Sequence, residues 1–507
     1  MKVYLLGAGP GDPGLLTIKA RDILKIADVI VYDALANVEL LSLAKKEAEI
    51  IYVGKIADQH ALPQNEINQL LINKAKEKGI VARLKGGDPY IFGRGGEEAL
   101  ELLAANIPFE EVPGISSTVA APAYAGIPLT HRDLVSSVTF VTGHEKPDKP
   151  NSSINWSALA QSKSTLVFVM GVKNLKTICE NLTQAGLAAE TPAAIIYRGT
   201  TEEQRTLVAT LATLPEQAYA HNFTNPSVIV VGEVVKLNEA LNWFEKKPLF
   251  GQTVVVTRAR EQASDLALSL KELGAKVVQF PTIAIKERAD QDELKWTIQN
   301  LANYDWLIFT SANGVKIFFN ALSALNLDSR ILHHNKICAI GPATAQALAD
   351  HGIVADLLPK RFVAESVVEA FTSANADNLT GQRILIPRAS KARDVLPEKL
   401  TAAGCTVQIL PIYDTVPDDS DKDDLLELIK NNEITCLTFA SSSTVENFFN
   451  LIPKDLILEH KEIKIAAIGP ITAKTLDQKG LPCHIQPEKY TIPDLVQAIS
   501  THFTKNS

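Results

Sequence analysis

The chain has 507 residues, 46% of them apolar, a length that exceeds one core and predicts roughly three or four domains rather than a fibre or a disordered segment. Its formal net charge of −8 excludes a general nucleic-acid binder, which needs a basic face, but leaves room for a locally basic pocket holding a polyanionic small molecule. No apolar run approaches the ~20 residues that span a bilayer, and the opening MKVYLLGAGPGDPG breaks its apolar run too early for a signal peptide.

Val- and Ile-rich strands alternate with helical segments, which predicts α/β domains with mostly parallel sheets. The first strand is Lys2–Gly7, and the turn Gly7-Ala8-Gly9-Pro10-Gly11-Asp12-Pro13-Gly14 leads into a helix starting near Thr17. Asp12 stands where the dinucleotide fingerprint needs its third glycine, so that fingerprint fails and a tight turn with close backbone approach remains. Strands at Val29–Tyr32 and Ile80–Leu84 follow, the second running into Lys85-Gly86-Gly87-Asp88-Pro89 and then Phe92-Gly93-Arg94-Gly95-Gly96-Glu97-Glu98. Val112-Pro113-Gly114-Ile115-Ser116-Ser117 reads as a third strand-end turn at a helix start. Such turns at strand C-ends would line one crevice, although each alone is equally a structural turn.

Further strands are expected at Val138–Thr142, Thr165–Met170 and Val228–Val231, and the Lys- and Pro-rich Glu145–Ser153 reads as a loop or a linker. A helix-like Leu237–Phe244 and the composition shift over Trp243–Gly251 mark the main boundary, after which strands begin again at Val254–Thr257 and Ile384–Ile386.

The second half repeats itself. GQTVVVTRA at Gly251 returns as GQRILIPRA at Gly381, an offset of 130, and ICAIGPATAQAL at Ile337 returns as IAAIGPITAKTL at Ile465, an offset of 128. LGAKVVQFP and LIFTSANGVKIFF have counterparts in AGCTVQILP and LTFASSSTVENFF, which predicts two similar lobes and a ligand cleft. Four hydroxyl-bearing turns recur in them: Thr310–Asn313, Gly341–Thr344, Ala440–Ser443 and Gly469–Thr472. Placed at strand C-ends they would bind carboxylates through backbone N–H groups, or simply cap helices. Nucleophile elbow, metal set and cofactor fingerprint are all missing from this half. The five scattered cysteines, Cys179, Cys338, Cys405, Cys436 and Cys483, predict reduced buried thiols in a cytoplasmic protein without a metal.

GAGPGDPGLLT, YDAL, RLKGGDPYIFGRGGEE, VPGISS, AYAGIPLTHRD and TGHE, spread over roughly residues 1–245, resemble uroporphyrinogen-III C-methyltransferase. The resemblance implies a two-domain tetrapyrrole-methylase fold (subdomains about 1–114 and 115–245) that dimerises and holds S-adenosyl-L-methionine in its cleft, releasing S-adenosyl-L-homocysteine. It places Pro10, Gly86, Gly87, Asp88, Ile91, Ser116, Ser117, Met170 and a position near Tyr197 on the cofactor. Asp88 suits a ribose or a sulfonium amine, or else serves as an N-cap. Arg94, Glu97, Arg132, Asp33 and His60 match positions facing the porphyrinogen, whose eight carboxylates call for guanidinium forks. A surface pair three residues apart is the plainer reading of Arg94 and Glu97. Arg94 or Glu97 is also the candidate to assist proton removal, though Arg is a poor base. Two methyl groups would go to C2 and C7, giving precorrin-2, mostly by positioning. Ala34 and Ile56 depart from the family's pattern, each removing an expected anion contact.

VVVTRA, FTSANGV, AIGPATA, ILIPRASKARDVLPEKL, LPIYDT, FASSS and IKIAAIGPITA resemble uroporphyrinogen-III synthase over 251–507, behind a linker at 246–250. The resemblance implies a two-lobed α/β enzyme, with lobe one about 251–285 plus 417–507 and lobe two about 286–416. It would cyclise hydroxymethylbilane with inversion of ring D through an azafulvene and a spiro intermediate. Tyr413 is the implied donor to the departing hydroxyl, with Ser311, Thr344, Ser441, Lys464 and Thr472 on substrate carboxylates. Two rivals stand beside this: a non-catalytic two-lobed tetrapyrrole-binding module, and a methyltransferase for a later corrin intermediate.

Overall fold

The computed structural model describes residues 1–54, 62–144, 154–258, 260–288, 292–359, 364–374, 380–392 and 394–505. Ile56, His60 and the Glu145–Ser153 segment lie outside the described residues. The chain divides into two compact units: 1–252 with 270–276 and 500–507, and 253–269 with 277–499.

The first sheet is built from β1 (Lys2–Gly7), β2 (Val29–Tyr32), β3 (Glu49–Tyr52), β4 (Ile80–Lys85) and β5 (Phe109–Val112), in the order β3-β2-β4-β1-β5. Every pairing is parallel. Continuous apolar runs such as VYLL and VIV are what a sheet covered on both faces requires. One face packs Val3, Leu5, Val29, Val31 and Val81 on Ile67, Leu71 and Leu102, and the other packs Leu6, Ile30 and Leu84 on Ile23 and Leu24. Thr17 caps the helix Ile18–Leu24 by accepting from the Ala20 N–H at 3.2 Å, as its position before an apolar-periodic run predicts.

The second sheet holds β6 (Val138–Thr142), β7 (Thr165–Val169), β8 (Pro192–Tyr197), β9 (Arg205–Thr210) and β10 (Ser227–Val231), ordered β6-β7-β10-β8-β9. This sheet is mixed within a largely parallel chain: β6 and β7 are parallel, but β10 runs antiparallel between β7 and β8, and β9 is antiparallel to β8. Strand direction is set by where the connecting segment returns, which no local pattern encodes. The expected helix Leu237–Phe244 is shorter, a 3-10 turn at Glu233–Leu237 followed by Asn238–Leu241. The chain leaves the helix so that Trp243 and Phe244 can meet Tyr124, with ring centroids 5.0 and 4.8 Å away.

The third sheet opens with β11 (Thr253–Val256) and β12 (Lys276–Gln279), then pauses while the chain builds a fourth. That fourth sheet contains β13 (Ile283–Glu287), β14 (Trp306–Phe309), β15 (Lys336–Ala339), β16 (Arg383–Ala389) and β17 (Thr406–Pro417), ordered β13-β17-β16-β14-β15. It is parallel except for β13 against β17. β18 (Cys436–Phe439) and β19 (Lys464–Ala467) then complete the third sheet as β12-β11-β18-β19. Because β13 already pairs with β17, the chain changes sheets between Gln279 and Ile283. All five cysteines are thiols outside any disulfide, four of them buried and Cys483 half-buried. Among the described residues no helix is long and apolar enough to cross a membrane.

Candidate active sites

Three glycine turns close on one another because β4, β1 and β5 are neighbours with a common direction. Gly9 and Gly87 exchange N–H···O bonds of 3.2 and 2.7 Å. A Cβ on Gly7 would lie 2.4 Å from the Gly114 Cα, and one on Gly114 would lie 2.2 Å from the Gly87 carbonyl oxygen. Only glycine allows three backbones this near, so the turns form a single floor at the strand C-ends. Asp12 ties that floor down. Its Oδ1 accepts from the Gly14 N–H at 2.7 Å, its Oδ2 accepts from the Tyr124 hydroxyl at 2.6 Å, and its own N–H donates to Thr200 at 3.1 Å.

Those contacts carry the floor to the second sheet. Thr200 follows β8, whose last residue is Tyr197, and Met170 follows β7, which runs the same way as β8 with antiparallel β10 between them. Met170 is 47% exposed with a positive φ of 57°, and Ile91 is 42% exposed, so each offers apolar surface. Tyr197 is occupied at its face by Arg205, 4.9 Å from the ring centroid. Ser116 caps the helix Ser117–Tyr124 and Ser117 is its first residue. Half-buried Pro10, Gly86 and Gly87 sit in the turns themselves.

Asp88 is placed differently from a ligand-facing carboxylate. It is 8% exposed and accepts three backbone N–H bonds, from Tyr90 and Ile91 at 2.8 and 2.9 Å and from Gly114 at 3.1 Å. Its capping role is the one on display, though it caps a turn rather than a helix. Arg94 forks onto Glu97 with bonds of 2.9 and 2.7 Å, both side chains exposed. That bond holds the guanidinium more firmly charged, which moves Arg94 further from any role as a base. Arg132 is exposed in the turn between His131 and Val135. Ala34 follows Asp33, whose carboxylate accepts from the Leu35 N–H at 3.2 Å and the Arg83 guanidinium at 2.9 Å.

Sequence reasoning passed over the support beneath Asp33. Arg83, Lys85 and Glu98 are 3%, 5% and 0% exposed, and both cations donate to Glu98. Burial and the neighbouring Arg83 charge lower the Lys85 pKa, against the pull of Glu98. The signal was legible as two charges, RLK, inside a central parallel strand.

In the second unit all four hydroxyl turns fall at strand C-ends, before helices beginning at Ala312, Pro342, Ser442 and Pro470. Ser311 accepts from the Gly314 N–H at 3.0 Å, and Ser441 forms a capping box with Thr444. The Gly341 and Gly469 turns have no side-chain cap, so their first helical N–H groups are the available anion donors. Thr344 and Thr472 lie inward, each 4% exposed, because the third turn position faces the core. Lys464 begins β19 and so lies at the end of the strand away from the turns. Ser311 and Tyr413 do come together, Oγ to OH at 2.9 Å, across the fourth sheet. Tyr413 is 6% exposed, and its carbonyl accepts from the Ser390 N–H at 2.9 Å.

Residues 2–215 match the family model for tetrapyrrole (corrin/porphyrin) methylases, and 264–497 match that for uroporphyrinogen-III synthase HemD. The porphyrin biosynthesis protein HemD of Ruminiclostridium josui is 38% identical over 98% of this chain and 97% of its own length. An S-adenosyl-L-methionine-dependent uroporphyrinogen III methyltransferase of Methanosarcina barkeri is 52% identical over 47% of this chain and 94% of its own. A crystal structure of uroporphyrin-III C-methyl transferase from Thermus thermophilus complexed with S-adenyl homocysteine is 38% identical, covering 47% of this chain and 100% of that one with a TM-score of 0.41. The chain therefore belongs to the tetrapyrrole methylases over its first half and to the uroporphyrinogen-III synthases over its second, a fusion of two tetrapyrrole-biosynthesis domains.

Proposed function

We propose that the second half cyclises hydroxymethylbilane to uroporphyrinogen III with inversion of ring D, and that the first half methylates this product at C2 and C7 to give precorrin-2. The observation that carries the methyltransferase reading is the convergence of the Gly7–Gly9, Gly86–Gly87 and Gly114 turns on one floor. Such a floor fits an adenosyl ligand, because backbone approaches it without side chains and apolar Ile91 and Met170 stand exposed for a base. S-adenosyl-L-methionine, when bound, supplies the electrophilic methyl group. Pro10, Gly86, Gly87, Ser116, Ser117 and Tyr197 would hold it, while Asp88 holds the turn. Arg94, Arg132 and Asp33 would orient the porphyrinogen, with Glu97 steering the Arg94 fork.

In the synthase half the uncapped Gly341 and Gly469 turns and the Ser311 and Ser441 turns would receive substrate carboxylates. Thr344 and Thr472 support their helices from inside, and Lys464, at the far end of β19, acts through long-range charge. Tyr413 donates to the departing hydroxyl with Ser311 fixing its phenol. The layout proposed is a methyltransferase over 1–245, a linker at 246–250 and a synthase over 251–507, working in the cytoplasm as a homodimer through the first half.

One incubation of the purified chain with hydroxymethylbilane and S-adenosylmethionine tests this, read by mass and isomer analysis of the oxidised products. Dimethylated type III product is the expected result. Unmethylated type III would keep only the synthase, and the spontaneous type I isomer alone would favour a non-catalytic binding module.

A further inference from the structure

β4 is a central strand, with β2 on one side and β1 on the other, and such strands are ordinarily apolar throughout. Yet its alternate residues Arg83 and Lys85 point to one face, above the packed Val31, Val81 and Ala99. Two buried cations here need a reason and a counter-charge. Glu98, on the helix Gly95–Ala104, supplies the counter-charge through a single oxygen: Oε1 accepts from Lys85 at 2.8 Å, from Gln64 at 3.0 Å and from Arg83 Nε at 3.4 Å. Its Oε2 is buried with no hydrogen-bond partner among the described residues. One carboxylate oxygen thus serves both cations and Gln64, while the other is held out of reach of a donor among the described residues.

Arg83 spends its other donors on the Val31 and Leu84 carbonyls, at 3.4 and 3.2 Å, and on Asp33 Oδ2 at 2.9 Å. Of the four charges only Asp33 reaches solvent, its side chain 26% exposed against 3%, 6% and 0% for Arg83, Lys85 and Glu98. Its second oxygen is held by the Leu35 N–H, so each oxygen is anchored by one donor and keeps a lone pair for a ligand. A buried network whose one outlet is a carboxylate at a strand C-end is built to aim that carboxylate.

We infer that Arg83 is a positioning residue, anchored by Glu98, that fixes the direction in which Asp33 meets the tetrapyrrole during methyl transfer. This rests on the methyltransferase reading above and on Asp33 facing the substrate. Lys in place of Arg83 keeps the charge but loses the fork that spans Asp33 and Glu98.

The test is a double-mutant cycle in the full-length chain with uroporphyrinogen III, reading kcat, KM and, by calorimetry, S-adenosylhomocysteine affinity. Arg83→Lys should lower kcat by about tenfold or more while that affinity stays within about threefold. In an Asp33→Asn background the same Arg83→Lys change should cost less than about twofold, since the group it aims is gone. Equal losses in both backgrounds, or loss of cofactor affinity together with kcat, would overturn the inference. Should Arg83→Lys fail to fold, Glu98→Gln enters the same cycle with the same expectations. A wild-type chain that transfers no methyl group to uroporphyrinogen III would overturn the functional reading itself; additivity in an active chain removes only this inference.

Discussion

Gly114 and Gly96 stand eighteen residues apart and mean opposite things. A Cβ at Gly114 meets backbone atoms of Gly87 and Gly7 at 2.2 and 2.6 Å, which no rotamer change relieves, whereas one at Gly96 meets nothing within 4 Å. Gly114→Ala is therefore expected to pry the floor open and abolish S-adenosylhomocysteine binding in a calorimetric titration. Gly96→Ala, in the first turn of the helix Gly95–Ala104, should raise stability by a few tenths of a kcal/mol and at most about 1 by removing a helical glycine, seen as a higher melting temperature. The thiols make a second residue-level case. Burial pushes Cys338 and Cys436 up to about 12 from an ordinary 9.0, so the folded state keeps protons that the unfolded chain releases. Their contribution to stability is complete below pH 9 and is lost as pH climbs toward 12. The urea midpoint should fall over that range, and Cys436→Val should flatten the fall; an unchanged slope would show that this thiol titrates normally.

Helix starts in the second half show how a repeated motif can serve two ends. Ser311 and Ser441 hold equivalent places in the repeat and both cap helices, but only Ser311 also bonds a tyrosine, Tyr413, at 2.9 Å. Ser441→Ala should then cost about 1 kcal/mol of stability by loss of a cap, measured by urea denaturation. Tyr413→Phe removes one hydroxyl from a buried ring and should shift the product from type III toward type I isomer with the fold intact. These turns were legible in the sequence because an apolar strand, a Gly-Pro or Ser, and a helix follow one another locally. The depth of Thr344 and Thr472 was not, since a hydroxyl in a motif says nothing about which way the first helical turn faces. Lys464 stands at the start of β19 rather than its end, a placement that depends on where the strand begins.

Across the whole chain, strands β1 and β2 were readable to the residue because a run buried on both faces leaves a nearly unbroken apolar signature, and the half-buried edge strand β6 because Val, Thr and Phe favour strands. The order of strands was not, and neither was the reversed β10, because pairing is decided by contacts distant in sequence. Arg83 and Asp33 are 50 residues apart, which is why the network beneath the first site escaped a reading made turn by turn. The glycine floor lies within the unit containing 1–252, and the Ser311–Tyr413 pair within the unit containing 277–499. If each unit holds one complete site, damage should stay on its own side. With hydroxymethylbilane and S-adenosylmethionine supplied together, Gly114→Ala should accumulate unmethylated type III product at the wild-type rate of ring closure. Tyr413→Phe, given uroporphyrinogen III directly, should methylate it as fast as the wild-type chain does. Loss of both activities in either variant, with its melting profile unchanged, would overturn this independence.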